Sequence, residues 1–313
     1  MALRKPKVLK YGGATVADPK RLALVARDVI TEGSGDQPIV VVVSAMGNMT
    51  DELIALARQV HPSGNMARWQ RVATAGEDIA AMLLTEAITE QGGRVIDLNT
   101  HQINAVAFDD GRLQQIKAVS LIQEHLGQGN IVVVPGYKGV TPNGSTTPLG
   151  RGASELLAIA LGIPLHLNAE EVMLEKDVDG LSPADPDLVP DTIIFSELDY
   201  DQALKVSDDT VVMDRALKLA RRWHVPVRVK RSPSIGPSTG GTLMRDASTP
   251  EELEPLERNI VVLRAHRACS LVRVVGVRNE KGQAFRLFRA LKNICLGNVI
   301  QDQGDETIMV WEI

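Results

Sequence analysis

Apolar positions along the first two-thirds of the chain alternate between two rhythms, short unbroken runs and longer stretches at helical spacing. Residues 8–10 close a strand-like run that Gly12-Gly13 stops, and Asp18-Pro19 opens a helical stretch over 21–30 with Leu22, Leu24, Val25 and Ile30 on its apolar face. Residues 38–43 form a β-branched run of the kind buried in parallel sheets, followed by the loop 44–51 and a helix from Glu52. A helical pattern over 69–90 contains Gly76-Glu77-Asp78. Residues 94–98 then read as a strand, 113–125 as a helix, and 131–134 as an apolar strand that ends in Pro135-Gly136. Strand and helix in alternation predict an α/β fold, a mostly parallel sheet sandwiched by helices. Active sites of such sheets lie at the carboxyl ends of the strands.

A glycine-bearing loop, 146–152, feeds a strongly apolar helix that begins near Ser154 and runs through 156–161. Ser154 is a candidate cap, Arg151 adds a planar cationic fork and Glu155 a carboxylate. Residues 165–167 read as a strand, followed by the 170–174 run. In the next loop Glu175, Asp177 and Asp179 are expected to converge. Residues 182–190 read as loop, 209–222 as helix, 225–229 as strand and 242–244 as a short strand. The expected division is a domain over 1–245, an acidic, proline-containing linker over 246–258, and a small unit over 259–313. In that unit 259–263, 271–275, 298–301 and 307–311 read as strands and 282–291 as a helix, which resembles part of a ferredoxin-like module.

Composition narrows the function. A formal charge of −5 and 3% aromatic residues argue against a nucleic-acid partner, which calls for a basic face and stacking platforms. A small-molecule substrate is expected instead. Cys269 and Cys295 have neither a second cysteine nor a histidine at metal-ligand spacing, so they read as core thiols of a reducing compartment, and no metal site is expected from side chains alone. No apolar run reaches the ~18 residues that span a bilayer, which points to a cytoplasmic protein with no membrane partner.

Four glycine-bearing loops, around Gly12-Gly13, 44–50, 136–139 and 150–152, are expected to meet at one edge of the sheet, where backbone amides make a phosphate cradle. Neither the G-x-x-x-x-G-K-[ST] pattern nor a complete G-x-G-x-x-G after a strand is present. The cradle is therefore of another type, with Lys10 at one strand end and Arg151 on another loop.

Taken together, Lys10-Tyr11-Gly12-Gly13-Ala14-Thr15-Val16-Ala17, Val43-Ser44-Ala45-Met46-Gly47 with Thr50-Asp51, Gly76-Glu77, Leu149-Gly150-Arg151-Gly152-Ala153-Ser154-Glu155, and Asp177-Val178-Asp179-Gly180 with Ala184-Asp185-Pro186 resemble the aspartate kinase branch of the amino acid kinase family. The resemblance spans about 8–244, and the C-terminal piece is similar to the first part of that family's ACT regulatory region. It implies the amino acid kinase fold and ATP- and Mg2+-dependent phosphorylation of the side-chain carboxylate of L-aspartate. It also implies that Lys10 and Glu155 are catalytic, that Ser44, Thr50, Glu77 and Arg151 hold the amino acid, and that Gly12, Gly13, Lys176, Asp177 and Asp185 lie on the nucleotide side.

Several positions depart from the family pattern. Glu155 stands where the family has aspartate, Lys176 where it has threonine, and Ser182 where a tyrosine is common. Thr210 replaces a nucleotide-side lysine beside Asp208 and Asp209. Lys176 is the candidate to supply the missing cation. The alternative carried by these departures is a catalytically impaired paralogue that serves as an amino-acid-binding or regulatory subunit. The short C-terminal unit leaves sheet edges open, so a homo-oligomer formed through 259–313 is expected.

Overall fold

The structure, a computed structural model, describes residues 4–107, 113–150, 152–186, 189, 191–207 and 211–246, together with the strands at 262–266, 269–275, 297–303 and 306–311. The elements run β1 (Lys7–Tyr11), α1 (Pro19–Glu32), β2 (Ile39–Val43), α2 (Met49–Val60), α3 (Met66–Ala73), α4 (Ala75–Glu90), β3 (Val95–Asp97), α5 (Thr100–Ile103), β4 (Ala105–Ala107) and β5 (Leu113–Ile116). They continue as α6 (Val119–Gly127), β6 (Ile131–Pro135), β7 (Lys138–Val140), β8 (Thr146–Pro148), α7 (Ala153–Gly162), β9 (Glu171–Lys176), β10 (Glu197–Asp199), α8 (Tyr200–Val206), α9 (Asp214–Trp223), β11 (Val227–Arg231) and β12 (Thr242–Arg245). The last four strands are β13 (Val262–His266), β14 (Cys269–Val275), β15 (Gly297–Gln303) and β16 (Glu306–Trp311).

The central sheet has the order β10-β12-β11-β9-β1-β2-β6-β3, and every neighbouring pair is parallel except β11 with β12. Alternation along the strands separates two cores. Val8, Val40, Val42, Val132, Val134 and Leu174 pack toward α7 and α9, whereas Leu9, Tyr11, Val41, Val43 and Val133 pack toward α1 and α4. Both faces are covered, as the run-and-helix pattern predicts. A small second sheet has the order β5-β4-β7-β8, and its β7 follows β6 directly in the chain. The four C-terminal strands make a separate antiparallel sheet in the order β13-β14-β16-β15. The helix expected over 282–291 lies outside the described residues.

Four expectations change. The pattern over 69–90 is two helices that meet at buried Thr74, whose hydroxyl donates to the Arg71 carbonyl. Residues 113–116 are a strand, because antiparallel pairing with β4 buries Ile116. The helix starts only at Val119, after Lys117 and Ala118 donate back to the Asn104 and Ile103 carbonyls. Residues 165–167 are turns closing α7, with Leu167 N–H donating to the Leu161 carbonyl; the strand beside β1 is β9. The helix expected over 209–222 starts at Asp214 among the described residues. The elements β10 and α8 carry a short-range signal in the sequence, an Asp199/Gln202 capping box.

Candidate active site

The carboxyl ends of β1, β2 and β6 are adjacent and in register, which sets Tyr11 beside Val43 and Val43 beside Pro135. The loops that leave them are stitched together by backbone hydrogen bonds. Ser44 N–H donates to the Tyr11 carbonyl (3.1 Å), Gly47 N–H to Gly13 (3.0 Å), and Gly136 N–H to Val43 (2.9 Å). The Ser44 hydroxyl then donates to the Ser154 hydroxyl at 3.1 Å, which ties the second loop to the first turn of α7. The four glycine-bearing loops therefore meet at one edge.

Alternation in β1 turns Lys10 away from the α1 side and toward α7. Its ammonium lies over Gly12, where a Cβ would stand 3.4 Å from Nζ, at van der Waals contact. Helix α7 starts from Gly152, which holds a left-handed φ of 68° against the Met213 side chain. Ser154 makes no capping bond, contrary to expectation, because it is turned toward Ser44. The start at Gly152 puts Glu155 in the first helical turn, buried, with its carboxylate between two lysines. Lys10 Nζ is 3.9 Å from Oε1, Lys176 Nζ pairs with the same oxygen, and Met213 N–H donates to Oε2 at 3.1 Å.

The charges in this cluster perturb one another. Burial, reinforced by the positive charge of Lys176, lowers Lys10 to about 8 against the pull of Glu155, Asp177 and Glu77. Burial alone would raise the Glu155 carboxyl, but Lys10 and Lys176 with the Lys176 and Met213 hydrogen bonds outweigh it and hold the group below the usual carboxylate range. Two ammonium groups around one carboxylate leave a net positive centre at the strand ends, suited to a transferring phosphoryl group.

A second acid faces the neighbouring loop. Glu77, in the first turn of α4, accepts from Ala45 N–H at 3.3 Å through Oε1. Its Oε2 is buried with no hydrogen-bond partner among the described residues. Burial pushes the carboxyl up to about 7. The next residue, Asp78, pairs with buried Lys138 of β7, and Tyr137 at a φ of 57° has its phenol pushed up by burial and by Glu77. Asp78, Tyr137, Lys138, Ser154 and the Met213 amide are additions to the residues expected from sequence. A polar pair after an apolar strand, Tyr137-Lys138 after 131–136, is the signal that could have found two of them.

Thr50 sits half-buried in the first turn of α2, directly after the 44–49 loop. Asp177 is exposed at the end of β9, and Asp185 is exposed on the loop after Gly180. Arg151, Asp208, Asp209 and Thr210 lie outside the described residues. The expected convergence of Glu175, Asp177 and Asp179 is not found. Strand alternation sends Glu175 to the opposite sheet face, fully buried and 3.1 Å from Lys230 Nζ, with its carboxyl pushed up to about 8 by burial despite that cation. Asp179 instead accepts from Ser238 and Thr239 (3.0 Å each to Oδ1), which anchors the glycine-rich 236–241 loop. Among the described residues no group of three or more His, Cys, Asp or Glu side chains could hold a metal ion, and no helix is long and apolar enough to cross a membrane.

Fold and site together define an α/β protein with a cationic, amide-lined centre at the carboxyl ends of a parallel sheet. The amino acid kinase family matches residues 5–231, and the chain belongs to that family. It is 32% identical to an aspartokinase of Thermus thermophilus over 301 residues, covering 94% of this chain and 72% of the relative. To an aspartokinase of Mycolicibacterium smegmatis it is 34% identical over 290 residues, covering 91% of this chain and 67% of the relative. The aspartate kinase of Synechocystis superposes with a TM-score of 0.68 at 25% identity, covering 98% of this chain and 52% of that one. The chain thus spans about half the length of that solved structure.

Proposed function

We propose that this chain transfers the γ-phosphoryl group of ATP to the side-chain carboxylate of L-aspartate. A carboxylate oxygen attacks the γ-phosphorus as the bond to the bridging oxygen breaks, so that 4-phospho-L-aspartate and ADP leave the site. The observation that carries the reading is the Lys10–Glu155–Lys176 cluster, with Lys10 and Glu155 buried, at the meeting point of four loops. The aspartokinase relatives support the choice of acceptor.

In phosphoryl transfer a protein mainly positions the reactants and neutralises charge. Lys10 stabilises the transferring group, Glu155 fixes both lysines, and Gly12 and Gly13 supply amides. Lys176, with Asp177 and Asp185, serves the nucleotide side. Glu77, whose second oxygen has no hydrogen-bond partner among the described residues, receives the substrate ammonium, while Ser44, Thr50 and Arg151 complete the amino-acid pocket. Mg2+ would travel with the nucleotide phosphates, largely water-ligated, since hard cations of this kind need one or two carboxylates at most. Asp177 is the exposed carboxylate best suited to it.

The catalytic unit would be 1–245 and the linker 246–258. Residues 259–313 would form a partial ACT-like unit whose edge strands, β13 and β15, join copies of the chain into a homo-oligomer. The setting is amino-acid biosynthesis in the cytoplasm. A coupled assay of ADP release tests the activity: release should depend on both ATP and aspartate, and aspartate-independent release alone would overturn the assignment.

A further inference from the structure

A groove of about 700 Å³ runs between β5, the start of α6, and the outer faces of α7 and α9, separate from the loops that form the active site. Leu156 and Ala160 of α7 form its floor, and Val119, Leu165, Leu219 and Trp223 extend the apolar lining. This volume is in the range of small-molecule pockets, ~300–1,000 Å³. Leu165 is 71% exposed, so apolar surface here lies open to water.

The charged groups of the lining are of one sign. Lys117, His166 and Arg222 are the ionisable side chains, and no acidic side chain lines the groove among the described residues. Lys117 and Arg222 are exposed and enter no ion pair among the described residues; Arg222 lies over the Trp223 ring with its guanidinium carbon 5.7 Å from the centroid. His166 is held in place by Nδ1–H donating to the Ala160 carbonyl at 2.5 Å. An apolar trough with cations that have no ion-pair partner among the described residues is complementary to a molecule that has an apolar body and a negative head.

We propose that this groove binds an amphipathic anion of small-molecule size, its apolar part on Leu156, Leu219 and Trp223 and its anionic head met by Lys117 and Arg222. The site is independent of the phosphoryl-transfer reading, although Leu156 is the residue after Glu155, so the ligand would rest on the helix that carries the catalytic carboxylate.

The probe is 8-anilinonaphthalene-1-sulfonate, titrated into the full chain with tryptophan excitation. Expected are one saturable site, energy transfer that is weakened in the Trp223→Phe variant, where Trp69 and Trp311 remain as donors, and displacement by decanoate but far less by decanol. The Lys117→Glu/Arg222→Glu variant, changed only at exposed positions, should bind the probe about tenfold more weakly, whereas a Lys20→Glu/Arg27→Glu control should bind as the parent does. Unchanged affinity in the Lys117/Arg222 variant, equal displacement by decanol, or energy transfer undiminished in Trp223→Phe would each overturn the proposal.

Discussion

The ammonium of Lys10 stands 3.9 Å from a carboxylate oxygen of Glu155, and both side chains are buried. Lys10 lies one residue before the end of β1 and Glu155 in the first turn of α7, so this contact fixes β1 to α7 at the point where charge must develop during transfer. Replacing Lys10 with methionine should lower kcat by about 10²–10³-fold, the usual effect of removing one preorganised electrostatic donor. Steady-state kinetics would check this; a loss confined to KM would show that Lys10 only binds the ground state.

The cluster also sets a pH limit. Lys10 is active as the cation, and its group titrates at about 8 in the free protein. As pH rises through that value the cation is lost, so kcat/KM should fall on the alkaline side with an apparent pKa near 8 that belongs to the coupled Lys10–Glu155–Lys176 set. A profile flat to pH 10 would contradict the assignment.

Glu77 should give the acidic limb. Its carboxyl is raised from 4.5 to about 7, so the charge that holds an ammonium is lost as pH falls below neutrality, and KM for aspartate should climb there. The stability effect has the opposite direction. A carboxyl raised in the folded state binds more protons folded than unfolded between pH 4.5 and 7, so stability declines as pH rises through that window. Glu77→Gln should therefore raise stability at pH 8 by on the order of 1–3 kcal/mol, seen as a higher melting temperature, while it raises KM for aspartate. Thermal melts and saturation curves on one preparation test both.

Glu155 and Lys176 are expected to act as a unit. Glu155→Asp withdraws the carboxylate by about one methylene and should cut turnover at least about tenfold. Lys176→Thr in that background should add little, giving a double-mutant cycle far from additive. Additive losses would place Lys176 outside the catalytic cluster.

Glu175, on the opposite sheet face, gives a readout free of the active site. It is fully buried, with a carboxyl raised to about 8, so stability should decline as pH rises between 4.5 and 8. Glu175→Gln should flatten that decline in melts run from pH 5 to 8. An unchanged slope would mean that the carboxylate is satisfied by Lys230.

Much of this was legible in the sequence because burial on both sheet faces writes itself as unbroken apolar runs. The Ile39–Val43 and Ile131–Pro135 strands show it most plainly. The glycine-bearing loops were legible because their positions follow strand ends. What depends on side-chain direction was not. Glu175 and Lys176 are neighbours in sequence, yet strand alternation puts them on opposite faces, and only the pairing of β9 with β1 shows which of them meets Glu155. The 113–116 segment misread as helix because an apolar end followed by polar residues fits either period, and the partner strand decided. Lys138 reaches Asp78 across 60 positions of chain, a contact that neither local pattern contains.

The most direct test of phosphoryl transfer to a carboxylate is trapping of the product. The full chain, ATP, Mg2+ and hydroxylamine should convert L-aspartate to its side-chain hydroxamate, and Lys10→Met should cut the rate by the same factor of about 10²–10³. No hydroxamate from aspartate or any other amino acid, in a preparation that binds aspartate measurably, would contradict the account and leave a binding subunit in its place.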